Sequence, residues 1–252
     1  MRDVSVDLSL TRNLLLRGLS SADQAALRAF LVRFDLAPRM VLESANEPVS
    51  TVHFVESGFI SVMANTTLNR QVEVGIIGRE GMSGIPLILG SDRSPNKTIV
   101  QGAGTSLAIG SGELVRLMNA RPTLHHRFDL FVQSFMVQIT QTTLANSKAN
   151  VEQRLARWLL MARDRTDGDA IPLTHEFLSI MIGVRRAAVT IALHNLEAEQ
   201  FIRASRGVVT IRDHEALRRF ADGLYGIAEQ EYDRLLEASF SHDRSFAAAA
   251  QG

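Results

Sequence analysis

The chain has 252 residues, 46% of them apolar, and a formal net charge of zero at neutral pH. That is material for two ordinary domains with real cores, and the absence of cysteine excludes disulfides, cysteine-ligated iron–sulfur clusters and a cysteine nucleophile. A neutral chain does not announce a nucleic-acid partner, so any such role has to rest on a local basic patch.

Near the N-terminus the longest apolar run, Leu14 to Leu16, is too short for a signal-peptide core. No stretch approaches the roughly 18–20 apolar residues of a membrane span, so a soluble, cytoplasmic protein without a membrane partner is expected. The first helix signal is SSADQAALRAFLVRF, where Ser21 and Gln24 have capping-box spacing and Leu27, Phe30, Leu31 and Phe34 recur at helical intervals. From about Leu36 to Ile109 the texture changes to short apolar runs broken by Gly, Asn, Ser and Pro. TVHFVESGFISVMAN reads as two strands around a corner at Ser57–Gly58, QVEVGIIG as another, and KTIVQGAGTSLAIG as two more around Gly102–Gly104. Strands at about ten-residue spacing predict an antiparallel sandwich or roll, here taken as residues 14–121.

Pro122 suits the first turn of a long helix over 122–149. Along it Leu124, Phe128, Phe131, Phe135, Gln138, Thr142, Ala145 and Ala149 follow the alternating four-and-three spacing of a coiled-coil seam. Phe128, Phe131, Phe135, Gln138 and Thr142 are therefore assigned to a dimer interface, on a helix that packs against both the roll and a twin. The alternative is a helix lying on its own domain. Thr140 and Thr143 are placed to line a pocket under the roll.

Asn150 caps a further helix, VEQRLARWLLMARDR, and opens a unit over 150–220. Thr174 is the expected N-cap of the next helix, with Leu173 and Leu178 as its hydrophobic staple. Gly183 ends that helix in the left-handed conformation glycine adopts cheaply. A second helix follows after about three residues, and FIRAS and VVTIRD flank Arg206–Gly207 as a hairpin. Two short helices about a glycine turn, then a hairpin, make a winged helix-turn-helix. The segment 221–252 reads as a helix to Leu236 and a disordered tail.

On the second helix Ala188, Val189, Ala192, Leu193 and Leu196 gather on one face, while Arg186, Ala187, Thr190 and Ile191 occupy the other. A major groove accounts for such an outward face. Arg186 can pair bidentately with guanine O6 and N7, Ala187 and Ile191 can touch thymine methyls, and Thr190 can bond a base or a phosphate. Arg203 and Arg206 on the wing, Arg185, and the turn at Thr174 can reach the backbone. From 174 to 219 seven arginines stand against five acids, so non-specific affinity is expected to be modest and salt-sensitive.

These features resemble the Crp/Fnr family of bacterial transcription regulators. FVESGFISV is similar to the family's glycine corner. QRLARWLLMARDR with LTHEFLSIMIGVRRAAVTIALHNLEAEQFI resembles its DNA-binding half, and ASRGVVTIRD its wing. The likeness covers about Leu14 to Phe220. It implies an α+β protein, with an N-terminal antiparallel β-roll of the cyclic-nucleotide-binding-like jelly-roll type, a long dimerisation helix and a C-terminal winged helix-turn-helix. It also implies a homodimer on a near-palindromic duplex, controlled by a signal in the roll, with RNA polymerase as a further partner.

The chain departs from the family pattern where cyclic-nucleotide binders carry a phosphate cassette. With the glycine aligned at Gly84, Ile85 stands at the ribose-binding glutamate, and Lys97 and Thr98 at the phosphate-binding pair; Arg93 with Ser94 is a second candidate pair. Ile cannot accept a ribose hydroxyl, and Lys lacks the planar fork of Arg. Cyclic AMP is therefore not the expected effector, and no cofactor is assigned. His53 and the His125–His126 pair are the histidines a haem iron could use, although packing or surface roles are the ordinary reading. In the second helix Arg185 replaces the family's capping Ser or Thr, Arg186 keeps its first Arg, and Ala187 and Ile191 replace its Glu and second Arg. The DNA site should accordingly be richer in A·T pairs. No nucleophile–base constellation, metal cluster or phosphate loop is found, so no enzyme is expected. A ligand-binding or scaffolding module whose helix-turn-helix contacts protein is the remaining alternative.

Overall fold

The computed structural model describes residues 6–67 and 71–237. The chain runs α1 (Leu14–Arg17), α2 (Ser21–Arg28), β1 (Val32–Leu36), β2 (Val41–Glu43), β3 (Thr51–Asn65), β4 (Gln71–Ile77), α3 (Ile85–Ile88), β5 (Lys97–Gly110), α4 (Ser111–Ala120) and α5 (Pro122–Lys148). It continues with α6 (Val151–Arg163), β6 (Ala170–Pro172), α7 (His175–Met181), α8 (Arg186–Ala198), β7 (Ile202–Ser205), β8 (Val208–Ile211), α9 (His214–Phe220) and α10 (Ile227–Tyr232). This is the expected α+β architecture: an antiparallel roll, a long helix, and a four-helix unit with a small sheet.

The roll is one sheet, ordered β1-β5-β3-β4 with β2 also on β5. β3 and β5 are each continuous where the sequence suggests a break. Their pairing shifts register at Val55/Ser57, Ser57/Phe59 and Phe59/Ile60, and these bulges bend both strands together. Gly58 sits at the bend with φ +72°, and a Cβ there would come within 2.4 Å of the Gly102 carbonyl oxygen. The first helix is shorter than its periodicity suggests, and Ser20, not Ser21, caps it by accepting from the Asp23 N–H at 3.1 Å. Phe34 lies in β1, opposite Ser106 of β5, because an open strand edge offers every backbone group a partner.

Helix α5 closes the roll. Phe128, Phe131 and Phe135 are 0%, 2% and 6% exposed within a single chain. Phe131 and Phe135 pack where the roll backbone has no Cβ, over Gly81 and Gly75, where an added Cβ would lie 2.3 and 2.5 Å from their rings. Gln138 spends its amide on one strand residue, accepting from the Ile76 N–H at 2.8 Å and donating to the Ile76 carbonyl at 3.1 Å. The seam assignment is thereby corrected. Phe128, Phe131, Phe135 and Gln138 face their own roll, because bulky aromatics gain most where the sheet already offers a cavity. Only Thr142 of that set is half-exposed, and its hydroxyl bonds back to the Gln138 carbonyl. The open face of α5 carries Gln133, Met136, Thr140 and Leu144, with Met136 55% and Leu144 43% exposed.

Asn150 caps α6 in a full capping box with Gln153. The C-terminal unit shares its core with the roll: Phe59, Met63 and Ile76 join Trp158, Leu159 and Met181 in one cluster. Trp158 stacks edge-on against Phe59 at 6.3 Å and Phe177 at 5.6 Å, and its indole N–H donates to buried Glu73 on β4 at 2.7 Å. After α9 the chain returns across the roll. α10 packs on α5, a π turn spans Asp233–Glu237, and Leu236 is buried in the roll's core. The expected disordered tail falls in 238–252, outside the described residues. No single helix among the described residues is long and apolar enough to cross a membrane.

Candidate nucleic-acid interface

Helices α7 and α8 meet at 104°, inside the range of DNA-binding helix pairs. The turn is built locally. Thr174 caps α7 by accepting from the Phe177 N–H at 3.1 Å. Gly183 has φ +64°, and the Val184 N–H reaches back to the Ser179 carbonyl at 2.9 Å, which satisfies the helix end. A guanidinium N–H of Arg154 on α6 donates to the Ile182 carbonyl and ties the turn to the body of the unit. Val189, Ala192, Leu193 and Leu196 then seat α8 on α6 and α7.

The opposite face of α8 is open. Arg185, Arg186, Ala187, Thr190 and Ile191 are all exposed, Ile191 at 60%. Arg185 begins the helix without a side-chain cap, so the first-turn N–H groups gain no partner from it. The Thr190 hydroxyl donates to the Arg186 carbonyl at 3.2 Å and lies 2.9 Å from His175 Nδ1. His175 therefore joins this face. The periodicity of α8 could not have shown it, because His175 stands on the other helix of the pair. The hairpin follows with Ser205 opposite Val208 across a two-residue turn at Arg206–Gly207, and Arg203 and Arg206 point to solvent. A third strand, β6, pairs with β8 and completes the small sheet; its three residues carry no alternation that sequence reading could use.

Ion pairing concentrates these charges. Arg12, Arg79, Arg93, Arg116, Arg121, Arg163, Arg165 and Arg234 are each paired with an acid. None belongs to 174–219. Arg185, Arg186, Arg203 and Arg206 have no acidic partner within the described residues. Zero net charge thus conceals an open basic surface on one unit. Thr174 differs from the rest, because it lines a cleft of about 320 Å³ against the chain's own roll, beside Glu176, Phe177 and Lys97.

A second cavity, of about 350 Å³, lies under the roll between α3, β4 and α5. It brings together Gly84, Ile85 and Thr98, with Arg93 and Ser94 at its rim. It corrects three effector assignments. Lys97 lies on the other side of the sheet in the Thr174 cleft, because adjacent strand residues alternate faces and Thr98 points inward. Thr140 and Thr143 are exposed on α5, and their hydroxyls bond back to the Met136 and Ile139 carbonyls. Glu43, which no motif singles out, holds the polar end of the cavity through Gly84, Thr98 and Ser83. His53 is buried against Ser106 and Phe34, and burial pushes its pKa down to about 4, so it stays neutral. His125 bonds the Ile88 carbonyl at 3.0 Å.

Residues 153–220 match the family model of the Crp-like helix-turn-helix domain. Among solved structures the chain is similar to a CRP-family transcriptional regulator from Thermus thermophilus, at TM-score 0.62 and 20% identity, covering 76% of this chain and 97% of that one. It is similar to FixK2 from Bradyrhizobium japonicum at TM-score 0.63 and 12% identity, covering 75% and 96%. It is also similar to the c-di-GMP-responsive global regulator CLP of Xanthomonas campestris at TM-score 0.61 and 18% identity, covering 76% and 99%. No curated protein matches the chain by sequence. Residues 153–220 are thus similar to a Crp-like helix-turn-helix domain, and the fold is that of the Crp/Fnr regulators.

Proposed function

We propose that this chain, which joins a Crp-like helix-turn-helix domain to the Crp/Fnr fold, is a transcription regulator that binds duplex DNA as a homodimer. The observation that carries this reading is the outward face of α8. An unpaired arginine, a threonine and a 60%-exposed isoleucine stand together there on a well-seated helix. In water that isoleucine gains nothing; in a major groove it meets thymine methyls while Arg186 takes a guanine. Arg203, Arg206 and Arg185 supply phosphate contacts on either side.

In this reading residues 14–121 sense a signal, 122–149 join the two copies, 150–220 bind DNA, and RNA polymerase is the downstream partner. Pairing runs along the open stripe of α5 through Gln133, Met136, Thr140 and Leu144, which repeats at three- and four-residue steps. Two copies then present two α8 helices to a near-palindromic site.

Arg186→Ala should weaken binding to the specific site about tenfold to a hundredfold, the worth of one bidentate base contact, and leave random DNA nearly unaffected. Gel shifts on both duplexes at low and physiological salt measure this. Equal loss on the two would place Arg186 on phosphate alone. No shift on any genomic fragment would favour a protein-contact role for the helix pair.

A further inference from the structure

The cavity under the roll has two ends of different chemistry. Its wall is largely apolar, with Val62, Ile77, Ile85, Val132, Phe135 and Ile139. Its volume of about 350 Å³ lies within the roughly 300–1,000 Å³ of small-molecule sites. At the other end three donors converge. The Gly84 N–H donates to Glu43 Oε1 at 2.5 Å, the Thr98 hydroxyl donates to Glu43 Oε2 at 2.9 Å, and the Ser83 hydroxyl bonds the same carboxylate. A backbone N–H and two hydroxyls aimed at one point form the kind of cradle that holds an oxyanion. Here the chain's own Glu43 carboxyl fills it. Glu43 is only 8% exposed, and Gly84 is held at φ +79°, which keeps its N–H turned towards the carboxylate.

The cationic side chain on the cavity wall does not offset this. Arg93 is held by Asp92 through two hydrogen bonds of 2.8 Å. An incoming phosphate ester would meet a cradle already filled by Glu43 and a guanidinium already paired with Asp92. A cation gains little from Glu43, whose oxygens are already satisfied and turned away from solvent.

We propose that the Glu43 carboxyl occupies the cradle an anionic ligand would need, so that the roll cavity takes an uncharged, largely apolar small molecule and rejects cyclic nucleotides. This deepens the reading of the roll as the sensor and rests on it.

The test uses the full chain and the uncharged fluorescent probe N-phenyl-1-naphthylamine, with cyclic AMP as competitor. The wild type should bind the probe saturably at one site per chain. Ile139→Trp, which fills the cavity, should weaken that binding at least about tenfold. Cyclic AMP should not displace the probe from the wild type. In Glu43→Ala, or in Glu43→Ser where the alanine variant fails to fold, the freed donors should raise cyclic AMP affinity at least about tenfold. Glu43→Gln, which keeps the cradle filled, should behave as the wild type. Tight cyclic AMP binding by the wild type, probe binding unmoved by Ile139→Trp, or a folded Ala or Ser variant that still refuses cyclic AMP would each overturn the proposal. Gel shifts on the same samples keep the two readings apart. Their failure counts against DNA binding, and the titrations decide the cavity.

Discussion

Met136→Glu combined with Leu144→Glu will yield a folded monomer, whereas Phe131→Asp will cost the fold itself. The two outcomes follow from the two faces of α5. Phe131 is 2% exposed and packs over Gly81 and against Phe135 at a ring distance of 6.2 Å. Truncating such a ring costs about 3–5 kcal/mol, and a carboxylate left in its place adds a desolvation penalty of several more. That total rivals the roughly 5–15 kcal/mol that holds a domain together. Met136 and Leu144 project from the other face, and surface substitutions there change stability by about 0.5 kcal/mol or less. If the twin helix covers them, four added carboxylates in one dimer seam will force it apart. Light scattering reads the mass and thermal melting reads the fold. A double variant that keeps the wild-type dimer mass would move the pairing surface off this stripe.

Glu73→Gln should gain stability over the wild type as pH rises, by roughly 3 kcal/mol between about pH 5 and pH 8. Glu73 is fully buried where the roll meets the C-terminal unit, and burial pushes its pKa up to about 7 against hydrogen bonds from Ser61 and Trp158 and the charges of Arg165 and Arg157. The sign follows from proton counting. Between its unfolded value near 4.5 and about 7, the folded state holds a proton that the unfolded state has released. Stability from this group is present at low pH and is lost as pH rises through that window. Glutamine keeps the acceptor for Trp158 and has no proton to lose. His53 runs the opposite way, since its folded pKa of about 4 lies below its ordinary 6.5, so the protein loses stability as pH falls through that range. The two trends overlap and flatten the wild-type profile. The difference between variant and wild-type unfolding free energies isolates Glu73. A difference that stays constant from pH 5 to pH 8 would show that the carboxyl ionises freely at the interface.

Much of the helix-turn-helix unit is legible in the sequence because its signals are local. Gly183, the Thr174 cap and the apolar stripe of α8 each fix geometry within a few residues, and the hairpin needs only Arg206–Gly207. The assignments that failed depend on which surface meets which. Two stripes of α5 repeat at the same three- and four-residue steps, and periodicity alone cannot say that the phenylalanines belong to the chain's own roll. Phe34 continues a helical spacing, yet the open edge of β5 claims it. Lys97 and Thr98 are neighbours, and one residue of register decides which of them enters the cavity. Glu43 sits in an unremarked MVLESAN stretch, and only the fold brings Gly84 and Thr98 to its carboxylate.

If the outward face of α8 reads DNA twice per dimer, the protein will choose its own site from a random pool. Selection of random duplexes by the full-length protein, followed by sequencing of the bound fraction, tests this most directly. The expected product is an inverted repeat rich in A·T pairs, its half-site centres about 10–10.5 base pairs apart. A guanine preference in each half-site should disappear in Arg186→Ala. A pool that stays random, or that converges on a site without two-fold symmetry, would contradict it.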